Sequence, residues 1–244
     1  MILLGGKDTN WRVSMDFRTL KANEIDVRIA QIDKTWCTLL LYKDARADMD
    51  VLDESVGCLN WKREHLRDNA NCRVSIWNSE INEWVSKEDT GTESFSEAEK
   101  GLASDSFKRA CVNWGIGREL YTAPSILITI KKDIKYKSNG KEVDEFFEKS
   151  NGKYDTKTRF WVEYIDYTKD REIQNLIIRD QKNNVRYAKL TTEKEQELSK
   201  LDIKIQKAIN SDEDLKEKIF NKYKVKTYDE LLINQKEEIV KELK

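Results

Sequence analysis

The sequence predicts an α+β fold: an antiparallel β-β-β-α core sheet with helices packed on one face, followed by a small C-terminal helical appendage. Three observations carry this. Apolar residues alternate with polar ones in several short stretches, the signature of half-buried strands. One long amphipathic stretch, Ser94 to Tyr121, has the period of a helix. Beyond Thr191 glycine and tryptophan disappear and a 3.6-residue period takes over, which places a domain boundary near residue 190.

In chain order, Trp11, Val13, Met15 and Phe17 alternate with Arg12, Ser14 and Asp16 and predict a first strand. Ile25, Val27 and Ile29 repeat the pattern against Asp26 and Arg28, and Trp36 to Tyr42 is a third, more continuously apolar strand. Asp44 reads as the N-cap of a short helix whose apolar positions are Ala45, Met49, Leu52 and Val56, with Gly57 closing it. Arg46 and Asp50 have the spacing of an i,i+4 pair on its outer side. Cys72, Val74 and Ile76, a turn at Asn78-Ser79-Glu80 and a return over Glu83 to Lys87 predict a hairpin.

The long helix follows. Ser96 and Glu99 have capping-box spacing, and Gly115 and Gly117 supply a left-handed exit. Ala103, Phe107, Ala110 and Trp114 form one narrow apolar stripe, with Lys108 and Arg109 on the opposite side flanking Asp105 and Val112. From the pattern alone this cationic pair is either a solvated face of a core helix or a binding surface.

After the lone proline, Pro124, a strand runs over Ser125 to Ile130 and ends in Lys131-Lys132. Residues 133–156 are polar, with Ser-Asn-Gly turns, and read as a mobile surface insertion with a helical patch around Phe146-Phe147. Phe160 to Tyr167, Ile173 to Arg179 and Val185 to Ala188 predict a three-stranded meander. Leu198, Leu201, Ile205 and Ile209, then Leu215, Ile219, Phe220 and Tyr223, then Leu231, Leu232, Ile239 and Val240 predict three final helices.

Composition bounds the chemistry. Of the 244 residues 36% are charged and 39% hydrophobic, so the chain is globular and polar outside its core. No run has the length of a membrane span and no signal-peptide pattern is present, so a soluble cytoplasmic protein is expected. Four dispersed cysteines and a single histidine, His65, disfavour zinc sites and disulfides; Cys37, Cys72 and Cys111 read as core residues. No phosphate-binding glycine-rich loop of the ATPase type occurs, and no cofactor is expected. A formal net charge of −1 excludes a uniformly basic surface, though not a local basic groove. Lys108-Arg109, Arg118, Arg46 and Lys131-Lys132 supply cations for such a groove, and Tyr42 and Tyr121 supply rings or hydroxyls. The competing chemistry is a metal-dependent nuclease, or an accessory subunit of one, built on Asp89, Glu93 and Asp105. It is weakened because Asp105 and Lys108 lie on a helix.

Three blocks go further than composition: 41–61, from Leu-Tyr-Lys-Asp-Ala-Arg-Ala-Asp to Gly-Cys-Leu-Asn-Trp; 89–93, Asp-Thr-Gly-Thr-Glu; and 99–121, centred on Ser-Asp-Ser-Phe-Lys-Arg-Ala. In this order they resemble phage single-strand annealing proteins of the Rad-fifty-two (Rad-twenty-two) type, over roughly residues 9–130. The resemblance implies a β-β-β-α core that assembles into rings or helical filaments. It also implies binding of single-stranded DNA in a continuous basic groove and annealing without ATP, in phage recombination and repair inside the bacterial host. An exonuclease and a single-strand-binding protein are the implied partners, the latter a candidate for the C-terminal helices. By position, Lys108 and Arg109 match the paired cations lining the inner DNA groove, and Ser104 matches a position approaching the backbone. Arg46 and Tyr42 fall in the block around the preceding helix. Eukaryotic relatives carry a further arginine where Val112 stands, so DNA contact is expected either to lean more on Arg118, Lys131 or Lys132 or to be weaker. On this reading residues 1–190 anneal DNA and residues 191–244 form the appendage.

Overall fold

Strands form where the sequence alternates. β1 (Asp26–Ile32) and β2 (Trp36–Tyr42) pair antiparallel, with Val27 opposite Leu41 and Ile29 opposite Leu39. The computed structural model describes residues 16–92, 98–138 and 140–243. The Ser96–Glu99 capping box therefore lies outside the described side chains. Of the expected first strand only Asp16 and Phe17 are described, and neither is in a strand.

α1 (Ala45–Val56) starts at Asp44, whose carboxylate accepts the Arg46 N–H, and ends at Gly57 with φ +82°. Arg46 pairs with Asp44 at 3.1 Å rather than with Asp50, because the N-cap carboxylate is the nearer partner. β3 (Trp61–Leu66), β4 (Asn71–Asn78) and β5 (Glu83–Thr90) make an antiparallel three-stranded sheet, crossed by α2 (Ala98–Trp114). This is the β-β-β-α unit. Its seam is Phe107, Ala110 and Cys111 against Cys72, Val74 and Ile76, all buried. Ala103 and Trp114, the ends of the predicted stripe, are half-buried, and the Trp114 indole N–H donates to the Val74 carbonyl at 3.1 Å. Strand and helix approach closely at Gly91, where a Cβ would sit 2.7 Å from both Leu102 O and Ser106 N.

Past the helix exit, a 3₁₀ turn (Arg118–Thr122) leads to β6 (Ile126–Thr129), which pairs with β2. Residues 133–156 differ from expectation. They fold into two hairpins, β7 (Lys135–Ser138) with β8 (Lys141–Asp144) and β9 (Phe146–Glu148) with β10 (Tyr154–Thr156). Phe146 is a buried strand residue, not part of a helical patch. The reason is an anchor remote in sequence: buried Glu145 accepts from the Arg186 guanidinium and from the Thr158 hydroxyl.

β11 (Phe160–Tyr167), β12 (Ile173–Asp180) and β13 (Val185–Lys189) form the predicted meander. It docks on β1, giving a six-stranded antiparallel sheet of order β13-β12-β11-β1-β2-β6. α3 (Thr192–Ser211), α4 (Glu213–Tyr223) and α5 (Ile233–Glu242) enclose a second cluster of Ile205, Ile209, Ile219, Leu231 and Ile239. Arg179 joins the two clusters. Buried and paired with Glu163, it also donates to the carbonyls of Asp229 at 2.9 Å and Leu231 at 3.2 Å. Among the described residues no helix is long and apolar enough to cross a membrane.

Candidate nucleic-acid interface

On α2, Asp105, Lys108, Arg109 and Val112 follow one another at helical spacing and so share a face turned away from the Phe107 seam. That face meets the end of β2 and the 3₁₀ turn after α2. Between them lies a groove of about 360 Å³ lined by Arg28, Tyr42, Lys43, Lys108, Arg109 and Tyr121, with Asp105 on its wall. β1 brings in Arg28 because it pairs opposite Leu40, which sets its guanidinium 6.0 Å from the centre of the Tyr42 ring. Burial, followed by nearby Asp26, raises the Tyr42 phenol above its ordinary value, so it remains a hydrogen-bond donor at neutral pH. Tyr121 is 75% exposed and presents an open ring at the rim.

The floor is a buried ion pair. Lys43 is 5% exposed and its ammonium donates to Asp48 Oδ1, while Asp48 is fully buried and its Oδ2 accepts from no described residue. Burial pushes the Asp48 carboxyl up to about 6, against the opposing pull of Lys43 and Lys108. Gly117 completes the floor. Its φ is +74° and an added Cβ would lie 2.4 Å from the Lys43 Cε, so the turn after α2 fits over the lysine stem only with glycine there.

Arg109 is also partnered. Its Nε donates to Asp105 Oδ2 at 2.8 Å, and the same oxygen accepts from the Thr92 N–H at 2.9 Å and the Thr92 hydroxyl at 3.0 Å. Burial pushes the Asp105 carboxyl up, but the bonds from Arg109 and Thr92 outweigh it and hold it below the usual carboxylate range.

The structure thus gathers Tyr42, Lys108 and Arg109, with half-buried Ser104 one turn before Lys108 on α2. The other sequence-predicted residues lie elsewhere. Arg46 is exposed at the start of α1, in an adjoining depression shared with Asp26, Asp44 and Asp50. Arg118 folds back to donate to the carbonyls of Val112 at 2.8 Å and Asn113 at 2.9 Å, which satisfies the open end of α2. Lys131 and Lys132 follow β6 beyond Thr129, which pairs with Trp36. They therefore sit at the far end of β2 from Tyr42, about 20 Å away at strand rise.

Two lining residues are missed by sequence reasoning. Arg28 shows only as a polar position of an alternating strand, and its place in the groove depends on the β1–β2 register. Lys43 carries no outward signal at all, because it is buried.

Of the three acids of the nuclease constellation, the two described ones are each hydrogen-bonded to neighbours. Asp105 is occupied by Arg109 and Thr92, Asp89 accepts from the Asn113 amide at 3.2 Å, and Glu93 lies outside the described residues. Among the described residues no group of three histidine, cysteine or acidic side chains is placed to hold a metal ion.

No curated protein and no solved structure gives a significant match to this chain. A family model does match, and its span contains β1 to β6, α1, α2 and every residue of the groove. Residues 21–139, 119 of the chain's 244, match the model of the Rad52/22 family double-strand break repair protein.

Proposed function

We propose that the protein binds single-stranded DNA in this groove and anneals complementary strands without ATP. The supporting observation is the convergence of Lys108 and Arg109 with Arg28 and two tyrosines, inside the family-matched span. Phosphates meet the cations, and this contact carries no sequence information, which annealing requires. Tyr42 and Tyr121 supply faces for base stacking that tolerate any sequence. The remaining base edges stay open, and a second strand samples registers until enough pairs form to make release slow.

One groove of this size spans a few nucleotides, so a long strand needs many copies side by side. We assign the working form to a homo-oligomeric ring or helical filament, acting in phage recombination in the bacterial cytoplasm. Residues 1–190 make up the annealing unit on this reading. Residues 191–244 are an appendage that engages a single-strand-binding protein, with an exonuclease supplying the resected strands. No bond is made or broken by the protein.

The test is annealing of two complementary fluorescent oligonucleotides without nucleotide, alongside light scattering. Fast annealing by a species many times the mass of one chain is the expected outcome. A monomer that leaves the annealing rate at its spontaneous value, or magnesium-dependent shortening of the labelled strand, overturns the reading.

A further inference from the structure

The groove contains its own anions. Asp105 lies on the wall beside the cations a phosphate would seek, and its Oδ2 stands 2.8 Å from Arg109 Nε. It is not a side chain free to swing away. Two donors from Thr92, at 2.9 and 3.0 Å, pin the same oxygen from the segment following β5. Beneath the floor, buried Asp48 pairs with Lys43 without any such second anchor. Of the four cations lining the groove, two therefore carry a counter-charge, while Lys108 and Arg28 have no carboxylate within ion-pair distance among the described residues.

We infer that Asp105 is a built-in competitor for the DNA phosphate at Arg109, one that keeps the groove's hold on single-stranded DNA below what its cations would allow. This rests on the single-strand-binding reading above. A guanidinium already bonded to a carboxylate exchanges one anion for another when a phosphate arrives, and fewer counterions are released than from a bare cation. The carboxylate also stays in place, because Thr92 holds it, and repels the incoming phosphate at short range. For an annealing protein, weak holding has a direct use: a strand gripped by every available cation cannot shift register against its complement.

The bland alternative is a surface i,i+4 ion pair with no bearing on DNA. The two differ in the sign of one measurement. Asp105→Asn removes the charge and keeps an oxygen able to accept from Arg109 and Thr92. Binding of the full-length protein to labelled oligo-dT is measured by anisotropy over a series of salt concentrations. The variant binds about 3- to 10-fold more tightly near 0.1 M salt, with a salt slope steeper by about 0.7 and slower strand release. The gain disappears when Arg109→Ala is added. Asp105→Ser, which also removes the charge, gives a gain of the same sign, and thermal melts establish that each variant folds.

Unchanged or weaker binding by folded Asp105→Asn overturns the inference, as does an equal gain in the Arg109→Ala background. Loss of cooperative melting in both Asp105 variants overturns it too, by making the residue a support of the fold. If the wild-type protein itself does not bind oligo-dT, the single-strand-binding reading fails and the inference goes with it. If the wild type binds and Asp105→Asn gains nothing, only the inference fails.

Discussion

Lys108 and Arg109 are neighbours on one helix, yet their removal does different things. Lys108→Ala deletes a cation with no carboxylate partner among the described residues, so single-strand affinity falls several-fold and the salt slope drops by about 0.7, with melting unchanged. Arg109→Ala deletes a cation already balanced by Asp105 and weakens binding less. Binding that is unaltered at matched salt in the double variant would remove both from the interface. The floor pair predicts a pH dependence. The folded value of Asp48, about 6, lies above its unfolded value near 3.9. Folding then takes up a proton in that window, so this group's contribution to stability is fully present below about pH 4 and lost as pH rises through about 6. Melts of Asp48→Asn between pH 4 and 7 are flatter than those of the wild type by this contribution; an identical pH profile would refute it. At this scale the sequence was legible where helical spacing alone sorts side chains, as for Lys108 and Arg109 against Phe107. Arg28 and Lys43 were not, since one needs the strand register and the other is a charge hidden by a partner five residues away.

The α2 helix and the three-stranded sheet stand or fall by a few contacts. Phe107 is fully buried, its ring 6.2 Å from that of Trp61 with the Arg63 guanidinium 4.9 Å away. Phe107→Ala costs about 3–5 kcal/mol, read from denaturant melts, and a loss below about 1 kcal/mol would mean that the seam runs elsewhere. Gly91→Ala is a sharper probe, because the added methyl meets two backbone atoms of α2 that cannot step aside as a side-chain tip can. A loss of about 1–3 kcal/mol follows, read from denaturant melts, and an unchanged midpoint would mean that α2 and the end of β5 are not in close contact there. Most elements are written in local periodicity, which is why β2, α1, β4, β5 and the final meander match their predicted places closely. β3 is not, since Lys62-Arg63-Glu64-His65 interrupts any alternation and its strand is imposed by pairing with β4. The hairpins of 133–156 were hidden for a related reason. Their anchor is Arg186, 41 residues beyond Glu145, and no window of local sequence contains both.

Across the whole molecule, Arg179 is one of the residues that tie the C-terminal helices to the large sheet, together with Glu163, which accepts from the Ile233 N–H. Arg179→Ala removes the cation beside buried Glu163, which keeps only the Ile233 N–H at 2.8 Å, and strands the carbonyls of Asp229 and Leu231, a loss of about 3–5 kcal/mol. Scanning calorimetry should then resolve two transitions in place of one, and a single unshifted transition would show the helices to be held by other contacts. Deleting residues 191–244 is expected to lower the melting temperature while leaving annealing by the remaining chain intact. Loss of annealing in a folded truncation would place part of the DNA machinery in the tail.

The order of strands in the large sheet has a consequence for how the chain is made. β1 pairs on one side with β2, a few residues away, and on the other with β11, where Asp26 faces Trp161. On a translating ribosome at about 5–20 residues per second, the second partner emerges roughly 7 to 27 s after the first strand. Throughout that interval β1 is a bare sheet edge, and nascent chains crowded on one messenger offer each other the missing neighbour. This topology makes the joining of the meander to β1 a late step of folding, whatever the finished protein binds.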